Sequence, residues 1–191
     1  MNVLIDTAML KKERIQYTII VLSGLILYFG VNSIIKKSLI GRQSIFVQPI
    51  QTSKEGHIMP SFNLLLSDSL TTFNTDSIPI GHPIVLFYFS PYCPFCQKEM
   101  REIIKNISKL SNIQFYMLTS YSFQEMKLFS NEFDLKKYSN IEIGIDYSSF
   151  FGKYFDTAVV PYIAIYGKDK RLKGAFVGGI SPEQIIAVSK I

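Results

Sequence analysis

Apolar residues first run unbroken along this chain and later alternate. Between Arg14 and Lys36 lies IQYTIIVLSGLILYFGVNSII, 21 residues without a charge, and a helix of that length covers about 30 Å, one bilayer core. This predicts a transmembrane anchor over 15–35, preceded by a short tail, 1–14, and followed by a polar linker, 36–56, with one apolar patch at Ile45-Phe46-Val47. No small-x-small cleavage pattern follows the run and no Cys stands near it to accept a lipid, so the segment reads as an uncleaved span. From residue 57 to 191 the pattern changes to short β-rich runs alternating with helical ones, the signature of an α/β layer fold. Strands are predicted at Phe62 to Leu66, Ile84 to Phe89, Ile113 to Thr119, Ile141 to Ile145, Tyr162 to Tyr166 and Leu172 to Val177. Helices are predicted at Pro94 to Leu110, where Met100, Ile103, Ile104, Ile107 and Leu110 share a face, at Phe123 to Phe133 and at Ser148 to Phe155. A last helix opens on Ser181-Pro182-Glu183-Gln184, a hydroxyl cap followed by Pro at the first helical position. Lys168-Asp169-Lys170 is the expected turn of a hairpin joining the last two strands.

Charge changes this picture little once it is located. The net charge is +5, which raises the prospect of a nucleic-acid partner. Residues 1–42 hold six Lys/Arg against two acids, however, while residues 43–191 hold fourteen against thirteen, with no basic cluster. The excess flanks the apolar run and argues against nucleic acid. With 48% hydrophobic residues the chain has material for a core, and two cysteines are too few for a disulfide-stapled scaffold. Lysines and arginines stand on both sides of the span in nearly equal number, so charge alone leaves the orientation open.

Both cysteines lie in Ser90-Pro91-Tyr92-Cys93-Pro94-Phe95-Cys96, where a buried strand gives way to a helix. Residues three apart on a helix face each other, so two thiols at this spacing can form and break a disulfide with little backbone movement. Cys93 falls at the helix start, where free N–H groups and the dipole favour a thiolate nucleophile. Cys96, one turn in, is the natural resolving thiol. Other readings of the pair are a zinc site, for which His57 and His82 are both upstream and without ligand-pair spacing, a copper-delivery module, which would add a downstream histidine, and a buried structural pair.

Strand, Cys-x-x-Cys and helix in this order resemble the thioredoxin-like superfamily over residues 57–191. The resemblance implies a central mixed β-sheet flanked by helices. Pro161, in Ala158-Val159-Val160-Pro161-Tyr162, matches the family's cis-proline, which lies against the active-site disulfide; Tyr92, Val160 and Pro161 are then the expected substrate-binding residues. The 68-residue separation of Cys93 and Pro161, the anchor and the Met59-Pro60-Ser61-Phe62 start are similar to the membrane-anchored TlpA/ResA-like branch, with Phe123 to Ile145 as its insert. Glu99 matches that branch's Cys-x-x-Cys-x-x-Glu pattern, whose glutamate manages protons; its other reading is a first-turn acid facing the helix dipole.

Departures are visible as well. Tyr92 stands where the family commonly has Trp, Phe87 replaces the acid that thioredoxins keep six residues before the nucleophile, and Pro94-Phe95 is similar to the Pro-Tyr of glutaredoxins. The resemblance implies a membrane-anchored thiol-disulfide oxidoreductase that needs no cofactor beyond the Cys93–Cys96 disulfide and no metal. Its expected partners are protein disulfides, apocytochrome c in several members, and a membrane thiol carrier that supplies electrons. The redoxin domain is then expected outside the cytoplasm, in the periplasm, where it would serve cell redox homeostasis. Peroxiredoxins share the fold and give the alternative of a thiol peroxidase: Ser90 fits their Pro-x-x-x-Thr/Ser-x-x-Cys pattern, but Leu86 occupies the proline position. A redox-regulated binding module without turnover is the non-enzymatic alternative.

Overall fold

The structure is a computed structural model that describes residues 16, 18, 20–33 and 46–191. Contacts divide the chain into a unit up to Ser44 and a unit over Ile45–Ile191. In the first, residues 16, 18 and 20–33 are helical (α1, residues 20–33), and the described side chains of α1 are exposed. Among the described residues no helix is long and apolar enough to cross a membrane. Residues 15, 17, 19 and 34–35 of the expected span, the tail 1–14 and the linker up to 45 lie outside the described residues.

The second unit is built on a seven-stranded mixed sheet. Its strands are β1 (Asn63–Leu66), β2 (Thr72–Asn74), β3 (Ile84–Tyr88), β4 (Gln114–Thr119), β5 (Ile141–Ile145), β6 (Tyr162–Tyr166) and β7 (Leu172–Val177), in the order β2-β1-β5-β4-β3-β6-β7. β3, β4 and β5 are parallel and the remaining pairs antiparallel. Parallel strands need long crossovers. Those after β3 and β4 carry α2 (Pro94–Lys105) and α3 (Phe123–Glu132); α4 (Phe150–Phe155) lies between β5 and the antiparallel β6, and α5 (Pro182–Ser189) follows β7.

Every residue of β3 is buried, as expected of a central strand covered on both faces. Val85 and Phe87 join one core, with Cys96, Met100 and Ile103 of α2 and Met126 and Phe129 of α3. Ile84, Leu86 and Tyr88 point the other way, into a core rich in rings: Tyr116, Phe151, Phe155, Tyr162 and Tyr166. The two-residue period of the strand thus separates the layer beneath the cysteines from the layer beneath α4.

The folded unit starts earlier than the Met59-Pro60 boundary that composition indicates. Ile50 N–H donates to Ala175 O at 2.8 Å, and Gln184 on α5 accepts from Val47 N (2.9 Å) while donating to Val47 O (2.5 Å). Residues 46–56 of the expected linker are therefore fastened along β7, which covers an edge that would otherwise expose unpaired backbone groups. β2, a three-residue edge strand paired with β1, is absent from the sequence-based expectation. α2 ends at Lys105, short of Leu110, because Asn106 caps it and turns its side-chain amide back onto Glu102 O at 3.0 Å. The chain continues in turns that still bury Leu110 completely.

Candidate active site

β3 ends inside the core, and Ser90 to Cys93 follow at its C-terminal end. Cys93 N–H donates to Ser90 O at 3.1 Å, and Cys93 itself is the N-cap of α2, in extended conformation, with Pro94 at the start of the helix. Pro94 has no N–H to lose there. The Cys93 Sγ accepts from Cys96 N–H at 3.4 Å and donates to Val160 O at 3.7 Å. A sulfur at a helix start that accepts a backbone N–H is placed to carry the negative charge that develops during exchange.

The two thiols, both free, differ sharply in environment. Cys93 is half-buried, whereas Cys96 is 0% exposed and packed in the core with Met100 and Ile103. Burial pushes the Cys96 thiol well above the ordinary range, with the nearby Cys93 adding to the rise. Only Cys93 is presented to a large substrate.

The Val160-Pro161 bond is cis, and Pro161 O accepts from Gly178 N–H at 2.8 Å, which ties the loop before β6 to the end of β7. The expected substrate-binding residues Tyr92, Val160 and Pro161 thus come together around Cys93 by two routes, sequence adjacency for Tyr92 and the Val160 hydrogen bond for the loop. A cleft of about 570 Å³ opens beside them, lined by Ser90, Ser120, Tyr121, Lys153 and Val160 among others.

Tyr92 is 64% exposed, yet its hydroxyl donates to Glu125 Oε1 at 2.9 Å and its ring meets Tyr121 edge-on, with centroids 5.8 Å apart. Glu125 is held in turn by Ser122: Oε2 accepts from Ser122 N at 2.9 Å and from Ser122 Oγ at 2.6 Å, the capping box that opens α3. These bonds keep the Glu125 carboxyl below the usual range and raise the Tyr92 phenol. Neither Glu125 nor Tyr121 is singled out by sequence reasoning. Ser122-x-x-Glu125 is a legible capping box, but its contact with Tyr92 arises only when the ends of β3 and β4 come together.

Glu99 lies one turn beyond Cys96, on the buried side of α2, and is 6% exposed. Its Oε1 accepts from Ile180 N–H at 3.3 Å. Burial pushes its carboxyl up to about 7, with Glu102 adding to the rise and the Ile180 N–H and Lys98 opposing it. The expected first-turn position does not hold: α2 has no acid in its first turn, and Glu99, its sixth residue, faces the turn between β7 and α5 rather than water. Among the described residues no three His, Cys, Asp or Glu side chains gather as a metal-binding group.

No family model and no curated protein matches the chain. Solved structures do. A secreted Mycobacterium tuberculosis disulfide oxidoreductase homologous to E. coli DsbE is similar at 17% identity over 68% of this chain and 94% of that one, with a TM-score of 0.56. The thioredoxin domain of a Bacteroides vulgatus thiol-disulfide oxidoreductase is similar at 15% over 71% and 96%, with a TM-score of 0.56. StoA from Bacillus subtilis is similar at 13% over 68% and 96%, with a TM-score of 0.52. At these identities the likeness is one of fold, and with the strand order and the cysteine-bearing turn after β3 it establishes that the chain carries a thioredoxin-like α/β domain.

Proposed function

We propose that this protein is a thiol-disulfide oxidoreductase that exchanges electrons with protein disulfides through Cys93 and Cys96. The observation that carries the reading is the asymmetry of the pair: one half-buried sulfur at a helix start, held by Cys96 N–H and Val160 O, and one sealed sulfur a turn behind it. In the reducing direction the Cys93 thiolate attacks a substrate disulfide, forming a Cys93–substrate S–S bond and releasing one substrate thiolate, which takes up a proton. Cys96 then gives its proton to the Glu99 carboxylate and attacks Cys93 Sγ. The mixed disulfide breaks and the second substrate sulfur leaves as a thiolate. The substrate disulfide gains two electrons and the Cys93–Cys96 pair loses two. Tyr92, Val160 and Pro161 line the approach to Cys93.

The anchor over 15–35 and a domain outside the cytoplasm complete the proposal, supported by the charge-free run and by a domain whose two thiols form one redox pair. Apocytochrome c fits as a substrate class and a membrane thiol carrier as the electron source, on the resemblance to the TlpA/ResA-like branch. Turnover of a peptide disulfide with dithiothreitol as electron donor tests the chemistry: wild-type protein should turn over, and Cys93→Ser should not. A membrane-impermeant thiol reagent tests placement, since it should label Cys93 in intact cells. Labelling only after lysis contradicts the placement.

A further inference from the structure

Two glycines stand between β7 and α5, and only one is required by the backbone. Gly178 has φ +88°, a left-handed conformation that favours glycine. Gly179 has no such torsion, so its lack of a side chain needs another reason. The reason is on α2: a Cβ on Gly179 would stand 3.2 Å from Glu99 Cδ and overlap Glu99 Oε2. The next residue, Ile180, supplies the N–H that Glu99 Oε1 accepts at 3.3 Å. We propose that Gly179 is a positioning residue for the exchange reaction: its bare Cα and the Ile180 N–H form a cradle that holds the Glu99 carboxylate beneath α2, one turn from the Cys96 thiol it serves.

The cradle also has its own opening to solvent. A groove of about 510 Å³ runs over Glu99, Gly179 and Ile180, and it shares no lining residue with the cleft beside Val160 and Ser90. Protons therefore reach Glu99 from the flank between α2 and α5 while a polypeptide covers Cys93. The charged groups that line the groove with Glu99 are Lys98, Glu102 and Lys105 of α2 and Glu183 of α5, and Cys96 stands three residues before Glu99 on the same helix. Glu102 and Lys98 act on Glu99 in opposite senses, so burial in the cradle dominates.

This inference rests on the acid–base role given to Glu99 above, and its test separates the two. In the full-length protein, Gly179→Ala removes no titrating group and displaces the Glu99 carboxylate toward water. The pH midpoint of disulfide turnover should then fall by about one unit or more as Glu99 regains solvation. Glu99→Gln should abolish that titration, and Gly179→Ala should add nothing to it. Glu99→Asp withdraws the carboxylate by one methylene, so Gly179→Ala in that background should leave the midpoint unchanged. A Gly179→Ala profile that superimposes on wild type while Glu99→Gln alters it overturns the cradle and spares the role of Glu99. A Glu99→Gln profile identical to wild type overturns both, while turnover itself still supports the exchange reaction.

Discussion

Cys93 Sγ donates to the carbonyl oxygen of Val160 across 3.7 Å, so the thiol at the start of α2 is tied to the loop that precedes β6, 67 residues later in the chain. The bond fixes which sulfur faces a partner. Cys96 has no comparable opening, since it is wholly enclosed by the core between α2 and the sheet. Alkylation of the reduced protein at pH 8 should therefore modify Cys93 first. Each unit by which burial lifts the Cys96 thiol removes about tenfold of its thiolate, and enclosure slows it further. Peptide mapping after brief iodoacetamide treatment checks this, and equal labelling of the two would contradict the geometry.

Glu99 should give stability an unusual pH dependence. Its folded-state pKa is raised to about 7 by burial, so the folded protein keeps the proton that the unfolded chain releases in the ordinary carboxylate range. By linkage, stability is fullest below that range and falls as pH rises toward about 7, by on the order of 2–3 kcal/mol. Glu99→Gln keeps an acceptor for the Ile180 N–H and removes the charge. It should melt like wild type at pH 4.5 and higher than wild type at pH 8; a wild-type-like slope in the variant would assign the effect to another group.

Gln184 is 2% exposed and bonds both backbone groups of Val47. Gln184→Ala should cost about 1–3 kcal/mol, the cost of leaving partly buried groups unpaired. Amide exchange should accelerate at Val47 and Ile50 before it does in β3 or β4. Protection at Val47 that survives the substitution would show that the segment is held by something else.

The strands most visible in the sequence are those whose pattern follows from burial alone. β6 and β7 are bounded as expected, and β3 is an apolar run because both of its faces are covered. β2 is hidden because three residues, Thr72–Asn74, carry no period of their own and become a strand only by pairing with β1. The fastening of 46–56 is hidden for the same reason, since its partners Ala175 and Gln184 are more than a hundred residues away. At the site, Cys93, Cys96 and Glu99 are legible because one helix turn relates them. Tyr121, Glu125 and Gly179 are not, because each meets its partner only through the folded sheet. Asn106 explains the early end of α2: apolar spacing continues to Leu110, but the Asn106 side chain competes for the Glu102 carbonyl.

Tyr92→Phe removes the hydroxyl that reaches Glu125 and keeps the ring that meets Tyr121. Because the bond is exposed, the melting temperature should change little. Tyr92→Ala removes the ring against Tyr121 as well and should raise KM for a protein disulfide while sparing turnover of a small one. A fall in kcat for the small disulfide would instead place Tyr92 in the chemistry.

Division of labour between the thiols is tested most directly by trapping. Cys96→Ser protein, mixed with an oxidised peptide and quenched in acid, should accumulate one S–S bond between Cys93 and the peptide, readable as a single mass addition in nonreducing mass spectrometry, while Cys93→Ser should accumulate none. A stable adduct on Cys96 in the Cys93→Ser protein, or full disulfide turnover by Cys96→Ser without any adduct, would contradict a mechanism in which Cys93 attacks and Cys96 resolves.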